Sequence, residues 1–144
     1  MKPLLVGELN PHGSDPRHAL FPYPKNGSGG RLCYKILGMS RLQYMSTFDR
    51  VNLCTGKWDR KKAAEKALEI IGETGPRIIV MLGAKVTRAF MYKYYVPFIY
   101  HQKYGKTMVT LPHPSGLNRI WNDEKNFRGA RAMMQMAGVK VLHE

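Results

Sequence analysis

Residues 76–90 read PRIIVMLGAKVTRAF, and the change of pattern inside this stretch decides the fold. The apolar run at 77–82 (RIIVML) reads as a strand buried on both faces, because it offers no alternating polar side to water. Gly83 interrupts it, and from Ala84 to about residue 95 a helix is expected. A buried strand passing directly into a helix is the repeating unit of a parallel sheet covered by helices.

The same alternation extends outward in both directions. Short apolar runs at 3–7, 50–54 and 107–111 read as three further strands. Residues 30–37 place Leu32, Cys33, Ile36 and Leu37 on one side of a helix that stops at Gly38. Asp59 is suited to cap a helix whose Ala64, Ala67, Leu68 and Ile71 recur at helical spacing before Gly72, and 124–137 supplies the last helix. The expected architecture is α/β: a three-layer α/β/α sandwich around a central four-stranded, mainly parallel sheet. With 144 residues and no repeat, low-complexity tract or linker, residues 1–144 are expected to form a single domain.

Lys and Arg number 23 against 10 Asp and Glu, a formal charge of +13. That excess points to a polyanion, since each cation set against a phosphate releases a condensed counterion. A merely basic or ribosome-associated protein would share the composition. The two cysteines, Cys33 and Cys54, lie in apolar stretches outside any CxxC pair, so neither a metal site nor an iron–sulfur cluster is expected and no cofactor is assigned. The opening MKPLLVGELN is too briefly apolar for a signal sequence, and no run approaches the ~20 residues of a membrane span. A soluble intracellular protein, cytoplasmic or nucleoid-associated, is expected, with no membrane partner.

Ligands of open α/β sheets collect at the carboxyl ends of the strands, and three loops there stand out: 8–30, 55–59 and 112–123. The first is too polar and too rich in Gly and Pro for an ordinary connection, and loops of that length are usually functional. Its KNGSGG tract (25–30) reads as mobile or phosphate-facing, but without the GK[ST] ending of a nucleotide-binding loop. In the third, prolines on both sides of His113 restrict the backbone and so fix where the imidazole points.

VGELNPHGSDPRHALFPYPKNGSGG (6–30) and LPHPSGLNR (111–119) together resemble the two signature motifs of the uracil-DNA glycosylase superfamily, an early glycine-rich loop with an acid or Asn and a late HPS loop. FDRVNLC (48–54) resembles the family's second strand with its base-reading Asn, and PRIIVMLGAKVTRAF its third strand and following helix. HPSGL is the specific element of the match, which spans nearly the whole chain.

The resemblance implies hydrolysis of an N-glycosidic bond to a nucleotide flipped out of single- or double-stranded DNA, leaving an abasic site. Negative charge grows on the departing base, and His113 is expected to donate to the pyrimidine O2 as it does so. Asn52, a polar residue in a buried strand, is expected to accept from N3 and donate to O4 of uracil or thymine; a structural hydrogen bond is the alternative. For the water, Asn10 before Pro11 is the first choice, Glu8 close behind, and Asp15 before Pro16 reads equally as a turn former. Phe21, favoured over Tyr23, is expected to stack on the base, which is worth ~1–3 kcal/mol. Leu117 corresponds to the apolar wedge that fills the vacated stack.

Ser115, Asn118, Arg119 and Gly29 within the Gly27–Gly30 tract are candidates for phosphate contacts. Lys57, Arg60, Lys61, Lys62, Arg128 and Arg131 are candidates for an outer basic face. No nucleophilic lysine is evident, so strand cleavage is not expected. The four cysteines of the iron–sulfur branch are absent, and GELNP departs from the family's usual early motif, which leaves the base open. The expectation is a monomeric, monofunctional uracil excision enzyme of the base excision repair type. A glycosylase for a hypermodified or oxidised pyrimidine, or a non-catalytic DNA-binding protein of the same fold, are the alternatives.

Overall fold

The computed structural model describes residues 1–140. Five strands form one sheet: β1 (Leu4–Asn10), β2 (Asp49–Thr55), β3 (Ile78–Leu82), β4 (Ile99–Lys103) and β5 (Lys106–Leu111), in the order β2-β1-β3-β5-β4. β1 pairs in parallel with β2 and β3, and β3 in parallel with β5, while β4 closes the edge antiparallel to β5. The expected α/β/α sandwich is present with one strand more than the four expected. IYHQK in β4 lacks the apolar run of a buried strand, because an edge strand needs only a hairpin partner.

The period of two in β3 divides the core into its two layers. Val80 and Leu82 face a cluster with Leu32, Ile36, Tyr44, Phe48, Trp121 and Met134, under α1 (Ser28–Gly30), α2 (Arg41–Thr47) and α5 (Lys125–Met136). Ile79 and Met81 face Ala63, Ala67, Ile70, Val86 and Phe90 of α3 (Arg60–Gly72) and α4 (Ala84–Ala89) with its cap. Such residues satisfy both faces of a strand only when helices cover both. No helix of the described residues is long and apolar enough to cross a membrane.

Several helix boundaries differ from the sequence expectation. α1 starts at Ser28, inside the tract read as a loop, and continues as a π-helix over Arg31–Ile36, in which the Leu37 N–H reaches back to the Leu32 carbonyl at 2.9 Å. The buried side of α3 is Ala63, Ala67 and Ile70, while Leu68 is 54 % exposed; the stripe counted from Ala64 lies about one position off. α4 ends at Ala89 rather than near residue 95. α2, which carries no strong apolar period, is announced by Ser40, whose hydroxyl and Gln43 form a reciprocal capping box.

Candidate active site

Parallel pairing brings the carboxyl ends of β1 and β2 level, with Gly7 opposite Asn52 and Asn10 opposite Thr55. Above them the long first loop folds back on itself. Its closure depends on glycine: a Cβ on Gly29 would run into the Leu20 and Phe21 backbone, and one on Gly30 into Pro24 and Lys25. The Tyr44 hydroxyl donates to the Leu20 carbonyl at 2.8 Å and pins the loop to α2. A cavity of about 520 Å³ results, whose lining includes Glu8, Asn10, Phe21, Tyr23, Asn52 and His113. Residues far apart in the sequence, and expected to act on one base, therefore share one pocket.

Asn10 is 5 % exposed, and its Oδ1 accepts from Asn52 Nδ2 at 2.8 Å. Asn52 keeps a second Nδ2 hydrogen and its Oδ1 for other partners. That oxygen lies directly over Gly7, in the space a Cβ there would fill. Gly7 is thus required by close approach and was not among the expected site residues, although its place before Glu8 in a strand is itself a sign of one.

The His113 loop is held by bonds within itself and by one from Arg31. Trp121 Nε1 and Asn118 Nδ2 both donate to the His113 carbonyl, at 2.8 and 3.1 Å, and Arg31 Nε donates to the Pro114 carbonyl at 3.2 Å. The Ser115 N–H donates to His113 Nδ1 at 3.1 Å, so a neutral ring carries its proton on Nε2. Burial holds the imidazole below its ordinary pKa, with Lys85 adding to that and Glu8 opposing it. His113 Nε2 and Glu8 Oε2 are 3.9 Å apart, too far for a hydrogen bond. The site therefore presents a neutral N–H donor and a carboxylate across a narrow gap.

Phe21 is flanked by cations and a second ring: guanidinium carbons of Arg41 and Arg50 lie 5.5 and 5.9 Å from its ring centroid, and the His18 ring packs at 4.9 Å. Tyr23 is exposed at the pocket mouth, also near Arg41. His18, Ser14 and the two arginines were not foreseen; nothing in their spacing marks them, since the fold of the loop brings them in.

Some expected residues lie elsewhere. The Asp15 carboxylate accepts from the Arg17 side chain and backbone, at 2.8 and 2.9 Å, and is held down to a pKa of about 2 by those bonds. It caps a 3-10 turn (Pro16–His18) and is not among the residues lining the pocket, the position the turn-former alternative expects. Gly29 does line the pocket but is buried by loop packing rather than turned outward. The Asn118 amide is committed to its own loop at both ends, to the His113 carbonyl and the Ile120 N–H. Arg131 donates to the Ile36 and Lys35 carbonyls and so caps the π-helical segment instead of joining an outer basic face. The Ser115 hydroxyl accepts from the Leu117 N–H at 3.1 Å, Arg119 is exposed, and Leu117 projects from the loop 93 % exposed.

Residues 42–135, well over half of the chain, match the family model described as the uracil DNA glycosylase superfamily. Comparison with curated proteins gives no match. The matched region contains Asn52, His113 and Leu117; Glu8, Asn10, Phe21 and Tyr23 precede it.

Proposed function

The chain belongs to the uracil DNA glycosylase superfamily, and on that premise we propose that it is a monofunctional glycosylase excising uracil from DNA. The observation that carries this reading is the convergence of Glu8, Asn10, Asn52, Phe21 and His113 on one pocket. We assign residues 1–144 to one functional domain, because β1, which precedes the matched region, lies between β2 and β3 and supplies Glu8 and Asn10.

In the proposed reaction the flipped uracil stacks on Phe21, with Tyr23 at the mouth, and its N3–H and O4 meet the Asn52 amide. As the bond from C1′ to N1 breaks, the base leaves as an anion whose O2 charge is met by His113 Nε2–H. A water oxygen bonds to C1′ and gives its proton to the Glu8 carboxylate. That proton passes on to the departed base anion, which restores the carboxylate and leaves free uracil and an abasic sugar. Glu8 is preferred to Asn10 for the water because Asn10 Oδ1 already accepts from Asn52 and an amide cannot take a proton; Asn10 then orients Asn52. Among the described residues no lysine lines the pocket, which supports hydrolysis without strand cleavage.

We further assign Leu117 as the wedge and Ser115 and Arg119 as phosphate contacts, in a monomer acting inside the cell without a cofactor. A second reading, excision of a C5-modified pyrimidine, is favoured by Ser14 and His18 in the pocket lining, polar groups for which plain uracil has no use.

The test is incubation in EDTA with labelled oligonucleotides carrying one uracil, single-stranded or opposite G or A, followed by alkali and gel separation. Alkali-dependent cleavage at uracil supports the reading. If DNA binds and only modified pyrimidines are released, the second reading replaces it, and release of no base at all would leave a DNA-binding protein.

A further inference from the structure

A second cleft, larger than the first at about 780 Å³, opens between α3 and α4. Trp58, Arg60, Lys61, Lys85 and Arg88 line it, over a floor of Ala64 and Ala89. All four cationic residues are exposed, and among the described residues no carboxylate lines the cleft. Of the two acids flanking these residues in sequence, Asp59 caps α3 through the Lys61 and Lys62 amides at 3.0 and 3.1 Å, and Glu65, next to Ala64, is exposed and does not line the cleft. Four exposed cations thus line one cleft, and a concave surface lined by one sign of charge attracts an outside anion.

Trp58 narrows the chemistry of that anion. Its indole is half-buried, and Lys85 Nζ sits 5.7 Å from a ring centroid. An ammonium over an indole is an exchangeable occupant: it can turn to a phosphate while a planar base takes the ring face. Four cations around one aromatic platform match a nucleotide strand better than an acidic peptide, which would use the charges but not the ring. A base inside a duplex has both faces stacked already, so the platform selects unpaired bases.

The cleft also adjoins the first site. Gly83, just before α4, packs against His113, where a Cβ would lie 3.1 Å from that of His113, and Lys85 is two residues further on. We propose that this cleft binds single-stranded DNA running away from the excised nucleotide, with its phosphates on Arg60, Lys61, Lys85 and Arg88 and one base on Trp58. The direction of the strand rests on the glycosylase reading; binding of single-stranded DNA by the cleft does not.

The test uses the full chain and dodecathymidylate without uracil. Of the two tryptophans, Trp121 is 3 % exposed, so quenching of emission reports Trp58. Saturable quenching is expected, and Trp58→Phe should remove the quenched component. Trp58→Ala should weaken single-strand affinity about 5- to 100-fold and leave affinity for an undamaged duplex of the same length within about twofold. The double variant Arg60→Ala/Arg88→Ala should reduce the slope of log K against log salt by about 1.4. Melting temperatures of all variants check that they fold. The proposal is overturned by unquenched Trp58 emission, by an unchanged salt slope, or by polyglutamate quenching and competing as well as DNA, which would indicate an acidic protein partner. Inorganic phosphate quenching to the same extent would reduce the cleft to a simple anion site. Quenching without uracil excision would sink only the glycosylase reading; excision without quenching, only the cleft.

Discussion

Asn52 Nδ2 donates to Asn10 Oδ1 across the ends of two adjacent parallel strands, so the residue proposed to read the base is itself held by its neighbour. That bond fixes which way the Asn52 amide points.

That coupling has a kinetic signature. Asn52→Ala should lower kcat/KM on uracil about 10- to 100-fold, the cost of losing one or two buried hydrogen bonds. Asn10→Ala should act through Asn52, so that the double variant is little worse than Asn52→Ala alone. Fully additive losses in a double-mutant cycle would show that Asn10 acts independently, on the water.

His113 should behave as a neutral donor. Its folded pKa lies below the ordinary value near 6.5, so on acidification the unfolded chain takes up its proton first. Its stabilising contribution is therefore full above about pH 6.5 and is lost as pH falls below that. Excision should not decline between about pH 6.5 and 8.5, and His113→Ala should cost about 10²- to 10³-fold in kcat with DNA affinity retained. A rate that falls in step with imidazolium deprotonation near pH 6.5 would overturn the assignment.

Gly7→Ala puts a methyl into the Asn52 Oδ1 position and against Leu20. Overpacking of this kind costs about 1–3 kcal/mol, read as a lower melting temperature with reduced excision. In an Asn52→Ala background most of that cost should disappear, because the colliding oxygen is gone. Equal destabilisation in both backgrounds would locate the strain at Leu20 instead.

Leu117, 93 % exposed, contributes no packing. Leu117→Ala should leave stability within about 0.5 kcal/mol and reduce excision from duplex DNA far more than from single strands, where no stack needs filling. Equal losses on both substrates would rule out a wedge.

The fold was legible where side chains are buried on a regular period. RIIVML and its glycine break gave the central unit, and β4 escaped because an edge strand with one partner carries no such pattern. The site was legible where chemistry is unusual for its setting: an amide in mid-strand at Asn52, a histidine between prolines at His113. It was not legible where loop folding decides. Asp15 and Asn10 each precede a proline in the same loop, yet one turns to Arg17 and the other into the pocket. Arg41 and Arg50 reach Phe21 only through the packing of α2 and β2 against that loop.

The His113 loop is fixed by Trp121, Asn118 and Arg31, all through bonds of the protein to itself. If Leu117 is the wedge, then donor and wedge ride on one rigid mount, and neither can advance without the other. Ordering such a mount costs nothing at the moment of encounter, so what varies between one DNA site and the next is the yielding of the DNA itself. Selectivity then belongs in part to the substrate: a weakly paired base surrenders to a tool that does not bend, and a well-stacked one does not.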